Sequence, residues 1–107
     1  MKDPQLRRGL LEACVLAALC RGESHGYQIV KDLTPSVKIS ESTLYPILRR
    51  LEDAGCLVHR SVEHNGRLRK LYSITPLGRR RIDDFLESRA EVEAIYDFVR
   101  RQRDEQG

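Results

Sequence analysis

Ser40-Glu41-Ser42-Thr43-Leu44-Tyr45-Pro46-Ile47-Leu48-Arg49-Arg50-Leu51-Glu52-Asp53-Ala54-Gly55 is the stretch that decides the fold. Leu44, Ile47, Leu48 and Leu51 recur at helical spacing and make one apolar face. Ser40 is a good N-cap, Glu41 suits the positive end of a helix, and Gly55 ends it. A helix is therefore predicted from Ser40 to about Ala54. Pro46 sits inside it, removing one backbone donor and predicting a bend. The other face carries Ser42, Thr43, Tyr45 and Arg49. Short hydroxyls at a helix N-terminus suit phosphate oxygens, and a guanidinium can fork onto guanine. Arg50 is rotated off that face and reads as a surface charge.

Upstream, Pro4 opens a first helix. Leu6, Leu10, Leu11, Cys14, Val15, Ala18 and Leu19 give it one apolar face, and Arg21-Gly22 closes it. Ser24 reads as the N-cap of a second helix, His25 to about Leu33, with Ile29, Val30 and Leu33 inward. Thr34-Pro35-Ser36 stops it, because proline removes a donor and disfavours helix in the residue before. Val37-Lys38-Ile39 is a short extended link.

Downstream, two extended runs are predicted, Leu57 to Glu63 and Arg69 to Thr75, with Asn65-Gly66 between them. The separating segment, His64 to Leu68, is five residues and predicts a bulged or open tip. Thr75-Pro76 then starts a helix that runs to about Asp104. At roughly 1.5 Å per residue it would be about 43 Å long, more than so small a domain can cover. Ile82, Phe85, Arg89, Val92, Tyr96 and Val99 form an a/d seam, widened by Leu86 and Ile95. These eight positions are the candidate homodimer interface. Arg89 breaks the seam. It is expected to pair with an acidic residue such as Glu91 or Glu93 of the partner subunit, and it favours an anionic small effector if there is one.

The order is helix, helix, helix, strand, strand, long helix. It predicts a mainly α fold with a small β-hairpin: a winged helix-turn-helix over residues 1–75 and a C-terminal dimerisation helix over 76–107. In such a fold the third helix enters the major groove and the hairpin reaches over the backbone. Charge agrees with that division. Residues 1–37 carry a net +1, residues 38–81 a net +6 and residues 82–107 a net −4, within an overall +3. The candidate DNA-binding residues are Tyr27 and Lys31 on the second helix, then Ser40, Ser42, Thr43, Tyr45 and Arg49. The hairpin adds His64, Asn65, Arg67, Arg69 and Lys70. A two-fold dimer would set two recognition helices about 34–36 Å apart and match a palindromic operator on double-stranded DNA.

Other classes find less in the chain. The three cysteines, Cys14, Cys20 and Cys56, are odd in number and unevenly spaced, which argues against a disulfide framework. Cys56, His59 and His64 are the only Cys/His cluster and match no reliable zinc spacing, so neither metal nor cofactor is expected. No catalytic constellation or glycine-rich phosphate loop stands out, so an enzyme is not expected. No apolar run approaches the roughly 18 residues of a membrane span, and the first residues do not read as a signal peptide, which together predict a cytoplasmic protein. Two alternatives stay open at this point: a protein-interaction winged helix that does not bind DNA, and a metal-responsive regulator.

Several pieces together resemble the PadR family of bacterial transcriptional regulators: His25-Gly26-Tyr27, Ser42-Thr43-Leu44-Tyr45-Pro46, Leu48-Arg49-Arg50-Leu51-Glu52, Gly55, Arg67-Leu68-Arg69-Lys70-Leu71-Tyr72, Ile74-Thr75 and Gly78. The resemblance runs from about Leu6 into the last helix and is closest to the compact branch with a single C-terminal helix. It implies a winged-helix dimer that represses its own or a neighbouring operon and is released by a small effector. It also implies DNA contacts from Ser42, Thr43, Tyr45 and the wing tip. Leu68 stands where the family often has proline, and Leu71 where it often has a second tyrosine, which bears on the wing's shape more than on its charge.

Overall fold

Three amphipathic helices turn their apolar faces to one centre, and a hairpin closes one side of it. The computed structural model describes residues 1–106. The elements are α1 (Pro4–Ala18), α2 (Gly26–Leu33), α3 (Glu41–Asp53), β1 (Leu57–His64), β2 (Arg67–Ile74), α4 (Pro76–Glu87) and α5 (Arg89–Gln106). Leu44, Ile47, Leu48 and Leu51 of α3 are all buried, packed with Ile29 and Leu33 of α2 and with Leu11, Val15, Leu16 and Leu19 of the first helical segment. Each such side chain contributes about 1.5–3 kcal/mol when fully buried. The first helix departs from its predicted face in two places. Leu6 is exposed, and Leu16, which the single stripe left out, is buried. The reason is that α1 packs against α2, α3 and α4 at once and so buries a broader face.

Local chemistry sets most element ends. Asp3 caps α1, accepting from the backbone N–H of Gln5 and Leu6. Ser40 Oγ accepts from Thr43 N–H and caps α3 as the sequence predicts. Helix α3 continues through Pro46. The carbonyl left without its donor is that of Ser42, and both residues are exposed, so water can take its place. The cap of α2 differs from the expectation. His25 holds it, with Nδ1 accepting from Gln28 N–H at 3.3 Å. Ser24 instead pairs its backbone with Tyr72 of β2 in both directions, at 3.0 and 2.8 Å. Extended pairing keeps Ser24 out of the helix and moves the start one residue on.

The hairpin also differs at its tip. His64 pairs directly with Arg67, so the strands run up to a two-residue turn rather than stopping at a five-residue loop. Asn65 and Gly66 both take positive φ, 51° and 77°, as a primed hairpin turn requires. The strand twist carries straight through such a turn, so no bulge is needed.

Thr75 joins the hairpin to α4. Its hydroxyl donates to Gly55 O at 2.7 Å and accepts from Gly78 N–H at 3.1 Å. Gly78 is buried, and a Cβ there would lie 2.4 Å from Cys56 O, so only glycine allows this approach. Arg50 is not a lone surface charge. Its Nε meets Glu12 at 3.1 Å, and Arg81 meets the other Glu12 oxygen at 3.1 Å, tying α1, α3 and α4 together.

The predicted single C-terminal helix is divided. Helix α4 ends at Glu87, Ser88 forms its cap, and α5 starts at Arg89. Ser88 Oγ donates back to Asp84 O at 2.8 Å beside its own N–H at 3.1 Å, and Val92 N–H reaches Ser88 O at 2.9 Å, so backbone bonds still span the junction. No residue of α5 from Arg89 to Glu105 is buried. The molecule is elongated, 63 × 26 × 23 Å, with a radius of gyration of 16.7 Å. A chain of this size packed as one globule would have about 13 Å. Among the described residues no helix is long and apolar enough to cross a membrane.

Candidate nucleic-acid interface

The wing does not stand alone. The Ser24–Tyr72 pairing fastens β2 to the head of α2, and Tyr72 is buried beneath it. This leaves an open cleft of about 700 Å³ between the hairpin and the start of the helix-turn-helix. Tyr27, Tyr45, His64, Asn65, Arg67, Arg69 and Lys70, all singled out in the sequence, line it together. Arg67, Arg69 and Lys70 take part in no ion pair among the described residues, so the wing wall is an uncompensated positive surface. A polyanion is the natural ligand of such a wall.

The cleft has residues that sequence reasoning missed. His25, Gly26, Glu41, Leu68 and Tyr72 also line it. Gly26 lets Tyr45 lie close: a Cβ at Gly26 would sit 2.8 Å from the Tyr45 hydroxyl, so a larger residue would push that side chain aside. The His25-Gly26-Tyr27 run and Tyr45 are therefore one device, and the glycine was its legible signal. Partial burial, then the nearby Glu41 carboxylate, pushes the Tyr45 phenol above its ordinary value, so the hydroxyl stays a donor at neutral pH. His25 is shifted the other way. Desolvation first, then the charges of Arg69 and His64, hold it below the ordinary histidine value. That agrees with its cap, since only an unprotonated Nδ1 can accept from Gln28.

The remaining predicted DNA residues lie outside the cleft. Ser40, Ser42 and Thr43 form a hydroxyl cluster at the N-terminus of α3, with Ser40 Oγ 2.9 Å from Ser42 Oγ and 3.1 Å from Thr43 Oγ1. Arg49 is exposed farther along α3, and it pairs with neither Glu52 nor Asp53. Glu52 is instead engaged by His59. Lys31 lies over the Tyr27 ring, 5.4 Å from its centroid. The Cys/His trio is dispersed: Cys56 is in the core, His59 is held by Glu52, and His64 is at the wing tip.

At the other end, Phe85, Leu86, Val92, Ile95, Tyr96 and Val99 of the predicted seam are exposed. Ile82 instead packs against the chain's own core. Phe98, which the seam left out, is 56% exposed and lies one helical turn from Ile95. Arg89 pairs within its own helix, its Nε 2.9 Å from Glu93.

Three helices with a wing, a hydroxyl-rich third helix and a cationic hairpin define a winged helix-turn-helix of the transcription-factor class. Known proteins of the same build agree. Residues 15–84 match the model of the transcriptional regulator PadR-like family. A transcriptional regulator of Mycobacterium tuberculosis is 34% identical over 76 residues, covering 70% of this chain and 71% of that protein. A PadR-like transcription factor from Bacteroides fragilis is similar in structure, with TM-score 0.77 and 29% identity over 89% of this chain and 94% of that one. Bacillus subtilis PadR, solved in complex with operator DNA, gives TM-score 0.66 and 27% identity over 71% of this chain and 46% of that one. The chain belongs to the PadR-like family and is a transcriptional regulator, not an enzyme.

Proposed function

We propose that this protein binds a palindromic operator on double-stranded DNA as a homodimer and represses its own or a neighbouring operon. The observation that carries this is the unpaired cationic wing, Arg67, Arg69 and Lys70, facing the start of α3 across one cleft. Helix α3 enters the major groove. Ser40, Ser42 and Thr43 take phosphate oxygens at its N-terminus, Tyr45 donates its hydroxyl, and Arg49 reads a base edge. Asn65, His64 and the wing cations follow the neighbouring backbone, with Tyr27 and Lys31 at a further phosphate. That a similar regulator was solved on operator DNA supports the reading.

Residues 1–75 serve DNA and residues 76–107 serve the dimer. The exposed apolar stripe of α5 supports the second role, because such a surface on a small protein marks a partner. Repression follows if the dimer occludes the promoter. A small effector that changes the spacing of the two recognition helices would release it, and the cytoplasm is where such a protein meets chromosomal DNA.

The test is fluorescence anisotropy with labelled DNA from upstream of the protein's own gene, against scrambled DNA, over a salt series. Specific binding with a steeply negative slope of log K against log[salt] is expected. Arg49→Ala should weaken the specific site more than the scrambled one, and Arg67→Ala should weaken both alike. Absence of binding to either DNA at low salt overturns the reading in favour of a protein-interaction module.

A further inference from the structure

We infer that Arg7 and Arg8 of α1 form a second phosphate-binding wall, on the side of α3 opposite the wing. The inference rests on the DNA-binding reading above. Helix geometry divides α3 into three strips. Leu44, Ile47, Leu48 and Leu51 are buried. Ser42, Pro46 and Arg49 are exposed and point away from the core. The two flanks differ. Tyr45, with Glu41 at the helix start, borders the wing cleft. Thr43 and Arg50 border a separate groove of about 320 Å³, whose far wall is Pro4, Arg7, Arg8 and Leu11 of α1.

The charges on that far wall are free, and those beside it are not. Arg50 is held by Glu12, which also holds Arg81. Neither Arg7 nor Arg8 takes part in an ion pair or a side-chain hydrogen bond among the described residues. Arg8 is exposed and Arg7 half-buried, and α1 has no acidic residue in its first turn. Two uncompensated guanidiniums therefore flank the outward face of α3 at one edge, as Arg67, Arg69 and Lys70 do at the other.

A helix in the major groove has a phosphate backbone on each side, across a groove about 12 Å wide. The wing supplies cations to one strand. The α1 pair adds cations at the opposite edge, next to the uncharged hydroxyls at the start of α3. The occupant is thus the second backbone strand of the same operator. The contact carries no base information, so it sets affinity and register, not sequence choice.

Arg7→Ala/Arg8→Ala should fold normally, since both positions are on the first turns of a helix and alanine favours helix. Salt-dependent anisotropy is expected to show a slope shallower by about one for each phosphate no longer neutralised. Specific and scrambled DNA should weaken by the same factor, and Arg7→Lys/Arg8→Lys should restore most of the slope. Arg103→Ala removes a remote positive charge, one paired with Asp104, and should leave the slope unchanged. A double-alanine variant with wild-type slope overturns the inference, as does an equal weakening in Arg103→Ala, or a weakening explained by a changed sedimentation coefficient. If the wild-type protein itself binds no DNA, the broader reading has failed rather than this one.

Discussion

The helix-turn-helix core and α5 carry the same amphipathic signal and meet opposite fates. Leu44, Ile47 and Leu51 repeat at helical spacing and are at most 2% exposed. Val92, Ile95 and Val99 repeat in the same way and are 43% to 58% exposed. Nothing in the spacing separates them. What separates them is enclosure. Helix α3 lies among α1, α2 and β1, whereas α5 extends past the end of the globule. An apolar stripe tells that a helix is covered, not by what. The core finds its cover within the chain; α5 finds none there, and the proposed second subunit would supply it.

Four sets of variants bear on that contrast, in falling order of effect. Leu44→Ala removes a fully buried side chain and should cost about 2–5 kcal/mol of stability, read by urea unfolding. Val99→Ala in an isolated chain would cost far less. If both cost the same at every protein concentration, α5 is already covered within one subunit and the contrast fails.

Ile95→Glu/Val99→Glu places charge on the exposed stripe of α5. Analytical ultracentrifugation should show a shift from dimer to monomer, with helical content by circular dichroism retained. A variant that keeps wild-type mass would mean the dimer uses another surface.

Two glycines sharpen the comparison inside the core. Gly78→Ala drives a Cβ against the Cys56 carbonyl and should lower the melting temperature substantially. Gly9→Ala has nothing within 4 Å of the new atom and removes a mid-helix glycine, so it should raise stability by about 0.5–1 kcal/mol. The same substitution thus changes sign with the neighbourhood.

The smallest effect is on pH. The folded His25 value is lowered, so the folded state binds fewer protons than the unfolded chain. Its contribution is full above the unfolded value of about 6.5 and is lost as pH falls through the lower folded value. The melting temperature should therefore drop over that acidic window. His25→Asn keeps a capping side chain without the titration and should flatten that part of the profile. An unchanged slope in His25→Asn would mean that His25 does not set this part of the pH dependence.

Much of this molecule was legible because short-range chemistry fixes it. The caps at Ser40 and Thr75 needed only a hydroxyl before a helical run. The Asn65-Gly66 turn needed only two residues that tolerate positive φ. The core face of α3 needed only periodicity. The α3 hydroxyls and the wing cations, as candidates for DNA, were legible in the same way, because residue type and position suffice to nominate them.

Tertiary structure decided what depends on residues far apart in the chain. Ser24 left its helix because Tyr72, much later in sequence, offered backbone partners. Arg50 became part of the frame because it converges with Arg81 on Glu12. Leu16 was buried because α1 has neighbours on several sides. The C-terminal helix is interrupted for one residue at Ser88, whose hydroxyl joins its own backbone N–H on the Asp84 carbonyl. The cleft that gathers the wing and the helix-turn-helix exists only once β2 is fastened to the head of α2. Sequence settles bonds made within a turn or so of chain; which charges are neutralised and which apolar faces are covered is settled only by what the fold brings alongside.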